Sequence, residues 1–417
     1  MGPNIRRHPY VAFLSTHPAL ARFWAGSLLS ALGDTLAWTT LIWYVVDRAG
    51  GGPAVAVLLL VQAIPGMLSA PLFGRWLDHG PLRSILYIDN AARAVVTAAL
   101  PIMDQTVGLP LPVLFVAVGI LGTLSPATRV GTGVAVPRLC RPEDRTTANA
   151  LFAAADPVAT VAGPALSGLL ISRFGVGAAL WCDAATFVAM LWAVAALPGK
   201  LPAPRSVATE SDVRFGAGKW LLQPLPLVAT GLSALFFFTY GPTETALPIF
   251  IKQTLHSGAA TFGAAWSAVG VGAAFGGMAA VPLARIRRSG RLLAAGMVAW
   301  GLISVGVSRA STPNELILLY FAGGVVWGPY LPLRATLMQR CVPEDRLGSV
   351  LGIQSAVLAP TMPLGAALGG ALLTRYDAGS ILLGVGISCL IGAAAAACVP
   401  ALHRPDPEDR VIESSGN

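Results

Sequence analysis

Apolar runs of about 20 residues recur from Phe23 to Val399, separated by short polar stretches. Each is long enough to cross a hydrocarbon layer roughly 30 Å thick as a helix. Twelve such segments can be placed, at 23–46, 54–77, 84–103, 111–134, 148–172, 177–197, 225–251, 258–284, 291–309, 314–337, 347–374 and 379–399. The pattern predicts an all-α polytopic membrane protein, with the bilayer as solvent for nearly the whole chain. An even number of crossings puts both termini on one side.

Composition agrees. Of 417 residues 55% are hydrophobic and 12% charged, against roughly 25% charged in soluble domains. The formal net charge of +8 raises nucleic acid as a partner, and the placement of the charges argues against it. Of the 28 Lys and Arg, 22 sort to the side of the termini, five to the other side, and Arg93 lies within a span. A bias of this kind records orientation and puts both termini in the cytoplasm. The basic residues are scattered over separate segments and form no single patch for a nucleic acid. Five cysteines without paired spacing support neither a disulfide framework nor a metal site, and residues 1–21 lack the pattern of a cleaved signal peptide.

The longest polar interruption, 198–224, is rich in Pro, Gly, Ser and charge and falls near mid-chain. It predicts a cytoplasmic linker between two six-helix bundles, 1–197 and 225–417. A shift of 201 residues superimposes Cys140, Pro142, Glu143, Asp144 and Arg145 on Cys341, Pro343, Glu344, Asp345 and Arg346, and Gly168 on Gly369. Internal repeats of this kind characterise secondary transporters.

From the end of the second segment to the start of the third stand Gly74, Asp78, Gly80 and Arg83. The loop resembles the signature loop of the major facilitator superfamily, with His79 and Pro81-Leu82 as departures. The resemblance implies a conformational latch made by these four residues with Arg129; the plain alternative is a charged turn between two helices. The matching loop of the second half, 285–291, lacks the aspartate. In the fifth segment Gly163, Pro164 and Gly168 are similar to the Gly-Pro motif of exporters in that superfamily, although tight helix packing alone also accounts for them. The stretches 136–151 and 28–34 resemble the branch containing the enterobactin exporter and macrolide efflux pumps. That branch implies proton-driven export with varied cargo.

Ionisable residues inside a membrane are functional candidates because each costs roughly 2.5–3.5 kcal/mol to insert. Asp34 in the first segment is the first candidate for proton coupling or substrate binding, Glu244 in the seventh the second, and Asp156 in the fifth another. A buried packing contact and a vestibule rim are the respective alternatives for Asp34 and Glu244. Asp89 and Arg93, four apart, are expected to form an intramembrane ion pair. Asp183 is expected near the outer end of its segment, facing water. Trp38 and Tyr240 are the aromatics expected to meet an amphipathic or cationic ligand.

ATP-binding, zinc-hydrolase and serine-nucleophile motifs are missing, so no enzyme activity and no cofactor or metal is expected. The expected partners are a small-molecule substrate, protons and the lipid bilayer, and the expected working unit is a monomer in a bacterial inner membrane. The expected function is export of a drug or natural product by proton antiport. A siderophore or metabolite exporter is the alternative, and a non-transporting receptor or membrane enzyme a remote one.

Overall fold

A computed structural model describes residues 9–49, 51–141, 144–198, 217–284 and 289–400. The described residues are helical apart from turns and short connections, as hydrocarbon demands of a spanning chain that must satisfy its backbone internally. Among them, twelve helices are long and apolar enough to cross a membrane. Spans 1 to 6 are Pro18–Ala49, Gly52–Leu77, Leu82–Thr106, Leu111–Val136, Arg145–Phe174 and Val176–Ala195; spans 7 to 12 are Pro224–Thr254, Ala259–Met278, Gly290–Arg309, Pro313–Cys341, Arg346–Leu372 and Ala378–Ala397. All twelve predicted segments are therefore present. Span 1 starts five residues earlier than expected, with Pro18 at its first position, where a missing N–H costs nothing. A short helix, Pro9–Thr16, precedes it.

The helices that open spans 5 and 11 begin at Arg145 and Glu344, close to the register of the 201-residue shift. Both are interrupted, span 5 at Ala154 and span 11 at Ala359–Pro360. Span 7 ends in a π-helical turn, Phe250–Thr254.

The chain divides into two compact units. The first combines Met1–Tyr44 with Val61–Ser206, the second Val45–Leu60 with Val207–Asn417. The division departs from the expected 1–197 and 225–417 bundles at residues 45–60, which cluster with the second unit. Most of the expected linker lies outside the described residues, but its end forms the helix Ala217–Leu221. Trp220 and Leu221 of that helix pack against the second unit's core.

In the first unit span 3 packs on spans 4 and 6, and span 5 on span 6. Phe23, Leu77, Leu82, Leu86 and Met190 form a buried core. Next to it Phe13 and Leu20 cluster with Val136, Cys140, Ala148 and Leu151. Trp24 Nε1 donates to the Leu151 carbonyl at 2.8 Å, and His17 Nε2 lies 3.6 Å from Asp144 Oδ2.

In the second unit spans 8 and 10 interlock through two Gly-xxx-Gly ridges. A Cβ at Gly272 or Gly276 would strike the backbone of Phe321 or Val325, and one at Gly324 or Gly328 that of Val269 or Ala273. Without side chains the helices reach backbone contact, which is how small residues drive association in lipid. An aromatic stack, Phe236 on Trp327 at 4.2 Å and Trp327 on Tyr330 at 5.3 Å, fills the same unit. The π-helical turn presents Lys252, whose Nζ donates to Asp47 Oδ1 at 2.9 Å and to the Asp47 carbonyl at 3.3 Å. The lysine thereby serves the negative C-terminal end of span 1.

Candidate functional site

A polar cavity of about 480 Å³ opens inside the first unit. Seven hydroxyl residues line it, Ser27, Ser30, Thr35, Ser125, Thr128, Thr132 and Thr160, together with Asp34, Asp156, Arg93 and Arg129. Among the described residues Phe152 is its one aromatic wall residue. The Ser27 and Ser30 hydroxyls are buried and have no hydrogen-bond partner among the described residues. Buried polar atoms are rarely left so, and these two are available to a solute or water in the cavity.

The charged groups of the wall come from four spans. Arg93 on span 3 is 5% exposed and its Nη2 donates to Asp34 Oδ1 of span 1 at 2.7 Å. The guanidinium carbon also stands 4.4 Å from the centroid of the Phe187 ring, a cation–π contact from span 6. The expected Asp89–Arg93 pair is thus replaced by Asp34–Arg93. An i,i+4 spacing allows two side chains to meet but does not compel it, and the carboxylate of a neighbouring helix takes the guanidinium. Asp89 instead accepts a hydrogen bond from Thr128 on span 4 at 2.8 Å.

Asp183 corrects a second expectation. It is 2% exposed and does not face water. A Cβ on Gly33 would overlap the Asp183 carboxyl and the Thr186 hydroxyl, so the bare backbone of span 1 makes room for an acidic residue of span 6. Asp156, in the first turn of the helix Ala155–Phe174, is exposed to the cavity, and the helix N-terminus favours its charge. Arg129 on span 4 lines the same cavity. It is therefore placed with Asp34 and not at the latch; the guanidinium that reaches the end of span 2 is Arg138, in the helical turn just past span 4, donating to the Leu77 carbonyl at 3.0 Å. Trp38 is half-buried and stands apart from the cavity lining.

The Gly-Pro motif packs span 5 onto span 1 beside the cavity. A Cβ on Gly163 would overlap the Thr35 side chain, Pro164 and Gly168 are buried, and the Ser167 and Thr40 hydroxyls share a 2.8 Å hydrogen bond. At the loop after span 2, Arg83 Nη2 donates to the Ala195 carbonyl at the end of span 6, at 2.8 Å, and Gly80 closes a turn on Trp76. A Cβ added at Gly74 would meet nothing within 4 Å among the described residues. The Asp78 side chain lies outside the described residues.

In the second unit Glu244 is 7% exposed and its Oε2 has no hydrogen-bond partner among the described residues. Tyr240 and Tyr320 lie within electrostatic reach of it. Trp266 bridges the two, its ring 5.7 Å from Tyr240 and 5.8 Å from Tyr320. Glu244 and Tyr240 are thus brought together, while Asp34, Asp156 and Arg129 form the separate group of the first unit. Sequence reasoning missed the burial of Asp183 and the role of the hydroxyl residues. The signal for Asp183 is its count from the end of an apolar run, and that count misleads when the facing residue is a glycine.

Spanning helices in two units, with charge gathered inside one of them, define a membrane transporter of the major facilitator type. The fold is similar to the nucleoside transporter NupG, with a TM-score of 0.74 at 15% identity over 93% of this chain and 99% of that one. It is also similar to a bacterial homologue of the iron transporter ferroportin in an inward-facing state, with a TM-score of 0.69 at 16% identity over 91% and 99% of the two chains. The sequence profile described as transmembrane secretion effector matches residues 12–413, and the chain belongs to that family. Among its relatives is the uncharacterized MFS-type transporter y4rN of Sinorhizobium fredii, 27% identical over 93% of this chain and 96% of y4rN. Another is the multidrug efflux pump Tap of Mycolicibacterium fortuitum, 24% identical over 91% of this chain and 95% of Tap. These relatives are transporters, and so is this chain; it is not an enzyme.

Proposed function

We propose that the protein exports a small amphipathic molecule across a bacterial inner membrane by proton antiport, working as a monomer with both termini in the cytoplasm. The observation that carries this reading is the Asp34–Arg93 pair on the wall of a 480 Å³ polar cavity inside a bundle of membrane-spanning helices. Alternating access exposes such a cavity first to one side and then to the other. Substrate entering from the cytoplasm and a proton entering from outside compete for Asp34, while Glu244, buried among aromatics, is the second coupling candidate. The name of the relative Tap supports efflux of drugs. The 22 basic residues sorted to one side support the orientation.

A specific observation favours the reading of an endogenous metabolite as cargo. Hydroxyls and charges dominate the cavity, and Phe152 is its one aromatic residue among those described, which suits a polar solute better than a flat lipophilic one. Reconstituted vesicles with an imposed pH gradient test the proposal. Uphill substrate movement that collapses in Asp34→Asn supports it; full gradient-driven transport by that variant rules Asp34 out as the coupling site.

A further inference from the structure

Three carboxyl groups of the first unit share one guanidinium. Asp34, Asp89 and Asp183 come from spans 1, 3 and 6, and Arg93 alone among the described cations stands within electrostatic reach of all three. Asp89 and Asp183 are each 2% exposed and Arg93 is 5% exposed. Among the described residues only Asp34 holds an ion pair with it. One oxygen of Asp89 accepts from Thr128 and the other has no partner among the described residues. The Asp183 carboxyl has a 3.4 Å contact from Thr186 Oγ1, which also lies 2.7 Å from the Asp183 carbonyl. Two further charges, Arg129 of span 4 and Asp156 of span 5, face Asp34 from the cavity side.

A bare carboxylate in such surroundings is costly unless paired. Arg93 is the one described cation in reach of Asp89 and Asp183 and its ion pair is given to Asp34, so these two buried carboxyls are best kept as neutral acids. We infer that Asp183 is a second proton-binding residue of the transporter, and that it exchanges its proton with Asp34 through competition for Arg93. The inference rests on the antiport reading above.

The exchange balances. With Arg93 paired to Asp34, Asp34 is taken as the ionised acid and Asp183 as the neutral one. When the proton passes from Asp183 to Asp34, the guanidinium leaves Asp34 for the Asp183 carboxylate. One proton and one counter-ion move in opposite directions, and the cluster keeps the same charge throughout. Gly33 lets the Asp183 carboxyl pack against the backbone of span 1 beside Asp34, so the two acids stand at one level of the bundle.

Infrared spectroscopy of the carboxylic-acid C=O stretch, with the protein in lipid at neutral pH, tests the inference without transport. The wild type is expected to show a deuterium-sensitive neutral-carboxyl band. Asp183→Asn is expected to remove one carboxyl's share of it, and Asp183→Glu, which keeps the acid if the amide variant fails to fold, to shift it. Asp34→Asn frees Arg93 and is expected to abolish the Asp183 component. A band that neither Asp183 variant alters overturns the assignment; an Asp183 component that survives Asp34→Asn overturns the competition for Arg93. Vesicles that move substrate without a pH gradient would instead sink the antiport reading, and the spectra distinguish that failure from this one.

Discussion

Gly163 on span 5 and Thr35 on span 1 approach so closely that a methyl group at 163 would overlap the Thr35 hydroxyl. Thr35 is the neighbour of Asp34, and both line the cavity. The exporter-like Gly-Pro motif and the ion-paired carboxylate are therefore parts of one helix interface. Span 5 cannot shift against span 1 without moving the cavity wall.

Gly163→Val overfills that interface. A loss of roughly 1–3 kcal/mol is expected for overpacking of this kind, measured as a lowered unfolding midpoint in detergent. Gly74→Ala is the control, because open space surrounds that position. Removing a helix-interior glycine there should stabilise by about 0.5–1 kcal/mol.

Arg93→Ala leaves buried carboxyls without their counter-ion. The expected cost is roughly 3 kcal/mol, the lower end of the range for a broken buried pair, since the Asp34 side chain is 42% exposed. The double variant Arg93→Ala with Asp34→Ala should recover part of it. Additive losses in denaturation would mean that the two residues do not interact.

Cys140 lies beyond span 4, at the cap of its helix, in a buried cluster, and burial followed by the neighbouring Asp144 charge pushes its thiol above the usual range, with Arg145 opposing. The thiolate is the reactive form, so maleimide labelling at neutral pH should be slow and should accelerate as pH rises toward the raised value. Asp144→Asn removes one upward influence and should speed labelling at fixed pH. Unchanged rates would show that access, not ionisation, controls this thiol.

Lys252→Ala removes the cation that the π-helical turn sets on the end of span 1. Both partners are partly exposed, so unfolding should change by less than about 1 kcal/mol. The local effect should be larger: amide exchange over residues 46–49 is expected to quicken, because the helix end loses its dipole partner.

All twelve spans are readable in the sequence, because lipid makes hydrophobic length a direct constraint. The repeat that leads into spans 5 and 11 is readable too. Partners of single charges are not. Arg93 meets Asp34 and not Asp89, since the winning carboxylate belongs to another helix and sequence spacing reports only same-helix geometry. Arg129 falls to the latch by resemblance, while about ten residues of helix separate it from Leu139, where the helix of span 4 stops, and set it in the cavity. Depth in an apolar run misplaces Asp183, because the count is blind to Gly33 facing it. The polar wall escapes notice for a similar reason: serines and threonines in spans 1, 4 and 5 are ordinary singly and gain meaning only when packing gathers them.

The grouping of residues 45–60 with the second unit bears on how this chain can be cut and rebuilt. A fragment starting at residue 217 would lack 16 residues of its own compact unit, although it would carry a full set of six spans. Co-expressed halves would have to supply that insertion from the first half before the second unit was complete. A chimera joined at the mid-chain segment would bring in a foreign 45–60 with its first half, and mismatched side chains against Lys252 or Gly370 would spoil a fit that a sequence-based crossover treats as internal to one partner. The two halves share a sequence repeat, but the folded product is not two interchangeable copies.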